Sequence, residues 1–300
     1  MNKRILITGA SSALGKRIIP KLNKKFDLYL TGHNENIKLG IKGVNLLNPK
    51  SVLTLIDEIK PEIIIHLAAI VDLSRNFDIA NKCIDINIKG TLNLLEAVRK
   101  QHVKKFIFTS TEEIYGNNSI PFTEEQIPCP PSPYSVSKIA GEQLCKQYAN
   151  ELNFSLAIFR LATFYGPQVK PPRLISQIIL KALKNQDILL NLGKKKRDYL
   201  YIDDVYSAFD AVLNQSKQSI NLFNLGGGAM FSLKEVVDII LNITKSSSKV
   251  IYGAFPDRIM ESDEWLLNIN KAKELLNWRP ITSITEGISK TIKYFKSNPV

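Results

Sequence analysis

Tyr134 and Lys138 stand four positions apart in "YSVSK", a spacing that puts both on one face of a helix. A lysine cation beside a phenol favours the phenolate, which makes tyrosine a usable base for a hydroxyl proton or an acid for an alkoxide. Upstream, "TSTEEIYG" at 109–116 sets Glu112 and Glu113 side by side behind Thr111. Two such carboxyl groups are either proton-transfer groups or the charged rim of a loop that follows a strand. Near the start, "TGASSALG" at 8–15 places Gly9, Ser11, Ser12, Leu14 and Gly15 between an apolar run and a helical segment. There a glycine turn lets backbone N–H groups face a pyrophosphate at the helix N-terminus. Gly9 and Gly15 fit the first and last glycines of a dinucleotide fingerprint, while Ser12 or Ala13 fills the middle place.

A dinucleotide site of this kind expects an acidic residue about 20 positions on, at the end of the second strand, to pair with the adenosine ribose hydroxyls. Here that strand runs out through "TGHNEN": Gly32, His33 and Asn34 hold the place and Glu35 lies farther along. Lys16 and Arg17, on the first helix, are cations that a 2'-phosphate would meet. The expected cofactor is therefore NADP or NAD, with NADP favoured.

The elements that carry these residues are legible from periodicity. "RILITG", "DLYLTG", "EIIIHLAA", "KFIFTST" and "SLAIFRL" are short apolar runs rich in β-branched residues, each bounded by turn or polar residues, and predict buried strands. Between them Ile84, Ile88, Leu92, Leu95 and Val98 recur at helical spacing, as do Val136, Ala140, Leu144 and Tyr148, so each segment predicts a helix with one apolar stripe. Alternating strands and helices predict an α/β fold, a Rossmann-like doubly wound parallel sheet whose ligand site lies beyond the carboxyl ends of the strands. After "FYGP" at 164–167 the alternation loosens, leaving a helix near 173–184 and strands near 199–202 and 222–225. The expected division is a dinucleotide-binding domain over 1–165, with a returning segment near 200–230, and a smaller C-terminal substrate-binding lobe over 166–300.

Composition narrows the function classes. Three hundred residues with 44% hydrophobic and 23% charged content describe a globular chain with a substantial core. The net charge of +12 favours anionic partners, yet the cations are spread out and the only dense run is Lys194, Lys195, Lys196 and Arg197, so no nucleic acid is expected. Three scattered cysteines make neither a disulfide framework nor a metal site, and the three histidines, His33, His66 and His102, form no cluster, so no metal is expected. The apolar runs are too short to span a bilayer, and "MNKRILITGASS" lacks the apolar stretch of a signal peptide, which makes the cytoplasm the expected location and a membrane partner unexpected.

Taken in order, "TGASSALG", "HLAA" at 66–69, "NIKGTLNLLEA" at 87–97, "STEEIYG", "YSVSK", "FRLATFYGP" at 159–167, "RDYLYIDDV" at 197–205, "FNLGGG" at 223–228 and "KAKELLNWRP" at 271–280 cover nearly the whole chain. The sequence resembles the extended short-chain dehydrogenase/reductase family, the NAD(P)-dependent nucleotide-sugar epimerases, dehydratases and reductases. The resemblance implies Tyr134 as catalytic acid/base, Lys138 on the nicotinamide ribose, and Thr111 hydrogen-bonded to the reacting sugar oxygen. It implies Leu67, Ala68 and Ala69 along the cofactor, and Asn45 and Leu46 where the family often reads adenine with an aspartate and its neighbour. A sugar nucleotide carries a diphosphate, for which the resemblance implies Arg173, Arg197 and Arg258, with Thr163 where many epimerases have asparagine. Family dehydratases carry Thr-Asp-Glu where this chain has Thr111, Glu112 and Glu113, so Glu113 matches a base for the C5 proton and Glu112 a longer version of the acid for the departing C6 hydroxyl. The implied function is epimerase or dehydratase chemistry through a 4-keto intermediate of an NDP-hexose; a net NADPH-dependent 4-ketoreductase and a non-catalytic dinucleotide sensor on the same fold are the alternatives. The resemblance also implies a homodimer, packed through the helices near 79–101 and 134–152.

Overall fold

The computed structural model describes residues 2–72, 76–256 and 262–299. Its strands are β1 Arg4–Thr8, β2 Asp27–Gly32, β3 Ile41–Gly43, β4 Ile63–His66, β5 Lys105–Thr111, β6 Ser155–Leu161, β7 Thr163–Tyr165, β8 Ile188–Leu189, β9 Lys196–Tyr201, β10 Ile220–Leu225, β11 Met230–Ser232 and β12 Val250–Ile251. Its helices are α1 Ala13–Leu22, α2 Pro49–Ile59, α3 Ala80–Cys83, α4 Gly90–Ala97, α5 Pro133–Leu152, α6 Leu174–Leu183, α7 Ile202–Asn214, α8 Leu233–Thr244, α9 Asn270–Leu276 and α10 Ile284–Ser297. Two compact units result, one built from Met1–Ile114, Pro128–Arg160 and Asn214–Phe223, the other from Tyr115–Ile127, Leu161–Leu213 and Asn224–Val300.

The first unit is organised on a seven-stranded sheet in the order β10-β6-β5-β4-β1-β2-β3. β1 pairs in parallel with both β2 and β4, and β4 in parallel with β5, which is the doubly wound arrangement expected from the alternation. Each of the five runs read as strands is one. Parallel strands covered on both faces read as continuous apolar runs, and Ile5, Leu6 and Ile7 are all fully buried. Chain direction along the sheet reverses between β1 and β4, where the last residues, Thr8 and His66, lie directly opposite each other. Ligands of open α/β sheets bind at such a switch point. One apolar cluster joins Leu6 and Ile64 of the sheet to Val52, Leu55 and Ile56 of α2, Leu94 and Leu95 of α4, and Cys145 and Ala149 of α5.

Two helices depart from the expected stripes. The segment from Ala80 to Ala97 is not one regular helix, because Ile84–Lys89 forms a π-helical stretch between α3 and α4. The wider π turn shifts the phase, leaving Ile84 45% exposed while Leu94 and Leu95 are fully buried. On α5 the buried face carries Tyr134, Ser135, Ser137, Lys138, Gly141, Glu142, Cys145, Tyr148 and Ala149, whereas Val136 is 51% exposed. The inward side of the first half of this helix is largely polar, so of the expected stripe Tyr148 is buried and Leu144 packs on the apolar cluster while Val136 is not.

In the second unit β9 pairs antiparallel with β11 and parallel with β7, and β8 pairs in parallel with β12. The expected helix near 173–184 is α6, and the strands expected near 199–202 and 222–225 are β9 and β10. Asp198 is buried on β9, where its two oxygens accept the Gly227 N–H at 2.5 Å and the Leu267 N–H at 3.3 Å. No helix among the described residues is long and apolar enough to cross a membrane.

Candidate active site

At the switch point, β1 ends at Thr8 and Gly9 takes a φ of +68°. A Cβ at Gly9 would lie 2.6 Å from the Ala68 nitrogen and 2.7 Å from its Cα, so the turn presses against the segment leaving β4. Only glycine meets both demands. Gly15 is similarly committed, since a Cβ there would collide with the Ala10 carbonyl oxygen. Ser12 caps α1, its hydroxyl accepting the Gly15 N–H at 3.0 Å, and Leu14 is buried beneath the first turn. Ser11 is exposed, with its hydroxyl close to Gly32 at the end of β2. Leu67 is buried, and Ala68 and Ala69 are partly exposed beside the turn. The helix N-terminus, the glycine turn and these small side chains thus share one end of the sheet, and they fit a dinucleotide pyrophosphate.

His33 and Asn34 are exposed just beyond β2. Asn45 is exposed and spends its side-chain oxygen on the Leu47 N–H at 2.9 Å, while the Leu46 carbonyl accepts from Asn93 Nδ2 at 2.8 Å. Asn45 therefore belongs to a local turn.

Tyr134 and Lys138 occupy the first turns of α5, which starts from a capping box of Ser132 and Ser135 with Pro133 in the first helical position. Both are buried, and Lys138 Nζ lies 4.1 Å from the centroid of the Phe108 ring on β5. Burial lowers the Lys138 pKa to about 8, against the opposite pull of Cys145 and Glu142 on the same helix. Thr111 closes β5, and its hydroxyl accepts the Glu113 N–H at 3.3 Å. Glu112 and Glu113 sit in the single 3-10 turn that follows, 2% and 1% exposed. They are not a solvated rim. β5 and α5 thus bring Thr111, both glutamates, Tyr134 and Lys138 into the first unit together.

Behind them runs a polar chain that periodicity does not reveal. Thr8 Oγ1 lies 2.6 Å from His66 Nδ1, and His66 Nε2 lies 2.9 Å from Thr91 Oγ1. The Thr91 hydroxyl donates to the Asn87 carbonyl at 2.7 Å, so it can only accept from histidine; Nε2 bears the ring proton and Nδ1 accepts from Thr8. Burial, followed by the nearby Lys138 charge, lowers the His66 pKa to about 3, which keeps the ring neutral. Asn87 Nδ2 donates to the Ile70 carbonyl at 3.0 Å and to Ser137 Oγ at 2.8 Å, and Ser137 donates to the Tyr134 carbonyl at 2.7 Å. Asn87 has no sequence signal beyond its place in "NIKGT", because its partners lie on other elements.

In the second unit Arg197 is the second residue of β9 and half-buried, its guanidinium 4.7 Å from the Trp265 ring centroid and donating to the carbonyls of Lys196 and Asp263. Arg173 is exposed at the N-cap of α6, and Thr163, the first residue of β7, is exposed. Arg258 lies outside the described residues. Among the described residues no group of three or more His, Cys, Asp or Glu side chains could hold a metal ion.

Comparison with known proteins bears on the whole chain. A putative UDP-glucose 4-epimerase of Methanocaldococcus jannaschii is 32% identical over 98% of this chain and 99% of its own. A dTDP-D-glucose 4,6-dehydratase of Dictyostelium discoideum is 28% identical over 99% of this chain and 82% of its own. The crystal structure of UDP-glucuronic acid 4-epimerase from Bacillus cereus, in complex with UDP-glucuronic acid and NAD, superposes with a TM-score of 0.88 at 27% identity over 98% of this chain and 99% of that one. The model of the NAD dependent epimerase/dehydratase family matches residues 5–226, the span that holds the glycine turn, the buried glutamates and the Tyr134–Lys138 helix, and this chain belongs to that family.

Proposed function

We propose that this protein is an NAD(P)-dependent nucleotide-sugar epimerase/dehydratase acting at C4 of an NDP-hexose through a 4-keto intermediate. The observation that carries this reading is that α5, with buried Tyr134 and Lys138, packs through Lys138 on Phe108 of β5, the strand that ends in Thr111 and leads into buried Glu112 and Glu113. When bound, a nicotinamide dinucleotide supplies the hydride acceptor and donor. Gly9, Ser11, Ser12, Leu14 and Gly15 would hold its pyrophosphate end, Leu67, Ala68 and Ala69 would flank it, and Lys138 would bind its nicotinamide ribose. Tyr134 takes the C4 hydroxyl proton and returns it on reduction, with the Lys138 ammonium lowering the energy of the phenolate. Thr111 orients the sugar oxygen. Glu113 takes the C5 proton and Glu112 protonates the departing C6 hydroxyl when the reaction runs on to dehydration. Thr163, Arg173, Arg197 and Arg258 would meet the nucleotide diphosphate, for which arginine forks are suited.

A net 4-ketoreductase using NADPH is the second reading, favoured by the end of β2, where exposed His33 and Asn34 stand without the carboxylate that repels a 2'-phosphate. On the same ground NADP is the favoured cofactor. A homodimer through the helices near 79–101 and 134–152 is supported by the exposed apolar side chains of Ile84 and Val136 on them. Three free cysteines fit a cytoplasmic location.

Mass spectrometry of the co-purifying dinucleotide, followed by incubation with UDP- and dTDP-sugars, tests this reading. Epimer formation or release of water with retained cofactor is expected. Consumption of added NADPH by a 4-keto sugar would move the protein to the second reading, and a bound dinucleotide with no turnover on any sugar nucleotide would make it a sensor or structural subunit.

A further inference from the structure

Glu142 lies one helical turn beyond Lys138, is wholly buried, and takes part in no step above. Its Oε1 accepts the Ser110 hydroxyl at 2.5 Å and the Arg160 Nε–H at 3.0 Å, and its Oε2 accepts Arg160 Nη2–H at 2.8 Å. One carboxylate therefore joins α5, which carries Tyr134 and Lys138, to β6 through Arg160 and to β5 through the residue immediately before Thr111. The Arg160 and Glu142 side chains are 3% and 0% exposed.

Such a pair is a poor device for stability alone. Desolvating two charges offsets most of their attraction, and apolar residues of similar volume often hold as well or better. An apolar pair cannot supply directional bonds that fix a helix against two strands, nor a negative charge one turn from a buried ammonium. Around Lys138 stand the Phe108 ring from β5, neutral His66 from β4, and Glu142 and Cys145 from α5, with Tyr134 one helical turn before it. Burial pushes the Cys145 thiol far up, so it stays protonated. Arg160, on β6, forks onto the carboxylate with two N–H donors. Glu142 is the one carboxylate in this set.

We propose that Glu142 is the positioning residue of the site: through Ser110 it sets Thr111 against α5, and its carboxylate balances the Lys138 ammonium so that Tyr134 keeps a cation beside it. This rests on the roles of Tyr134, Lys138 and Thr111 proposed above.

The test uses Glu142→Gln, which keeps the shape and one acceptor while removing the charge, and the double variant Glu142→Leu/Arg160→Met, which removes the pair together should the single change leave Arg160 unmatched. Lys138 is read directly by nitrogen NMR of lysine-labelled, cofactor-free protein, its signal assigned by its loss in Lys138→Met. In both variants Lys138 is expected to lose its proton about one pH unit or more below wild type. In Glu142→Gln, kcat on a sugar nucleotide is expected to fall about ten-fold or more with KM little changed, the signature of a transition-state interaction. Glu142→Asp should restore the Lys138 titration while recovering kcat only in part. A folded double variant whose Lys138 titrates as in wild type would overturn the proposal, as would an unchanged kcat in Glu142→Gln. Failure of every sugar nucleotide to react would sink the functional reading alone, because the Lys138 titration on cofactor-free protein still supports or overturns this one.

Discussion

Burial changes what the two adjacent glutamates mean. A charged rim would leave Glu112 and Glu113 in water, yet both are buried in the turn that leaves β5. Carboxyl groups are rarely buried without a partner or a task, and here Thr111 already binds the backbone of Glu113. Glu113→Gln is therefore expected to leave C4 oxidation intact, seen as transient reduction of the bound dinucleotide, while stopping a later C5 or C6 step. An unchanged product spectrum would return the pair to a structural role. Tyr134→Phe should lower kcat by about 10²–10⁴, the usual worth of a positioned acid/base, with dinucleotide still retained on gel filtration. Retained activity would remove Tyr134 from the mechanism.

At the level of elements, the site is the relation of α5 to β5. A Cβ at Gly141 would sit 2.6 Å from Phe108 Cζ, and the same ring lies under Lys138 Nζ. The helix is thus seated as low on the strand as a glycine permits. Gly141→Ala should raise α5 off Phe108 and cost about 1–3 kcal/mol in a urea unfolding series, the range typical of overpacking. It should also lower kcat, because Lys138 and Tyr134 move with the helix. A variant as stable and active as wild type would contradict this seating. The polar inward face also explains why the first half of α5 is misread by periodicity: Ser137, Lys138 and Glu142 are inside because Asn87, β5 and β6 meet them there.

For the molecule as a whole, the pH dependence of stability should carry the mark of Asp198. Burial raises its pKa to about 7, against the downward pull of the Gly227, Leu267 and Gly228 amides. Between the unfolded carboxyl value of about 3.9 and that folded value, the native state holds a proton that the unfolded chain has released, so stability falls as pH rises through the window. Asp198→Asn, which cannot ionise, should destabilise most at about pH 4, with the gap in urea midpoint narrowing toward about pH 8. A gap that widens over that range would show that the amides, and not burial, dominate.

Much of the architecture was legible without coordinates. Strands that are buried on both faces must be apolar along their whole length, so β1, β4 and β5 announce themselves, and a turn pressed against a neighbouring backbone must be glycine, so Gly9 does too. The spacing of Tyr134 and Lys138 likewise follows from helix geometry alone. Tertiary structure decided which face of α5 is inside, that the two glutamates are buried, and that Ser110, Glu142 and Arg160 meet at one carboxylate. Those outcomes depend on polar groups satisfied by partners from other elements, and hydrogen-bond satisfaction leaves no period in a sequence because it is paid in space, between residues whose separation along the chain is arbitrary.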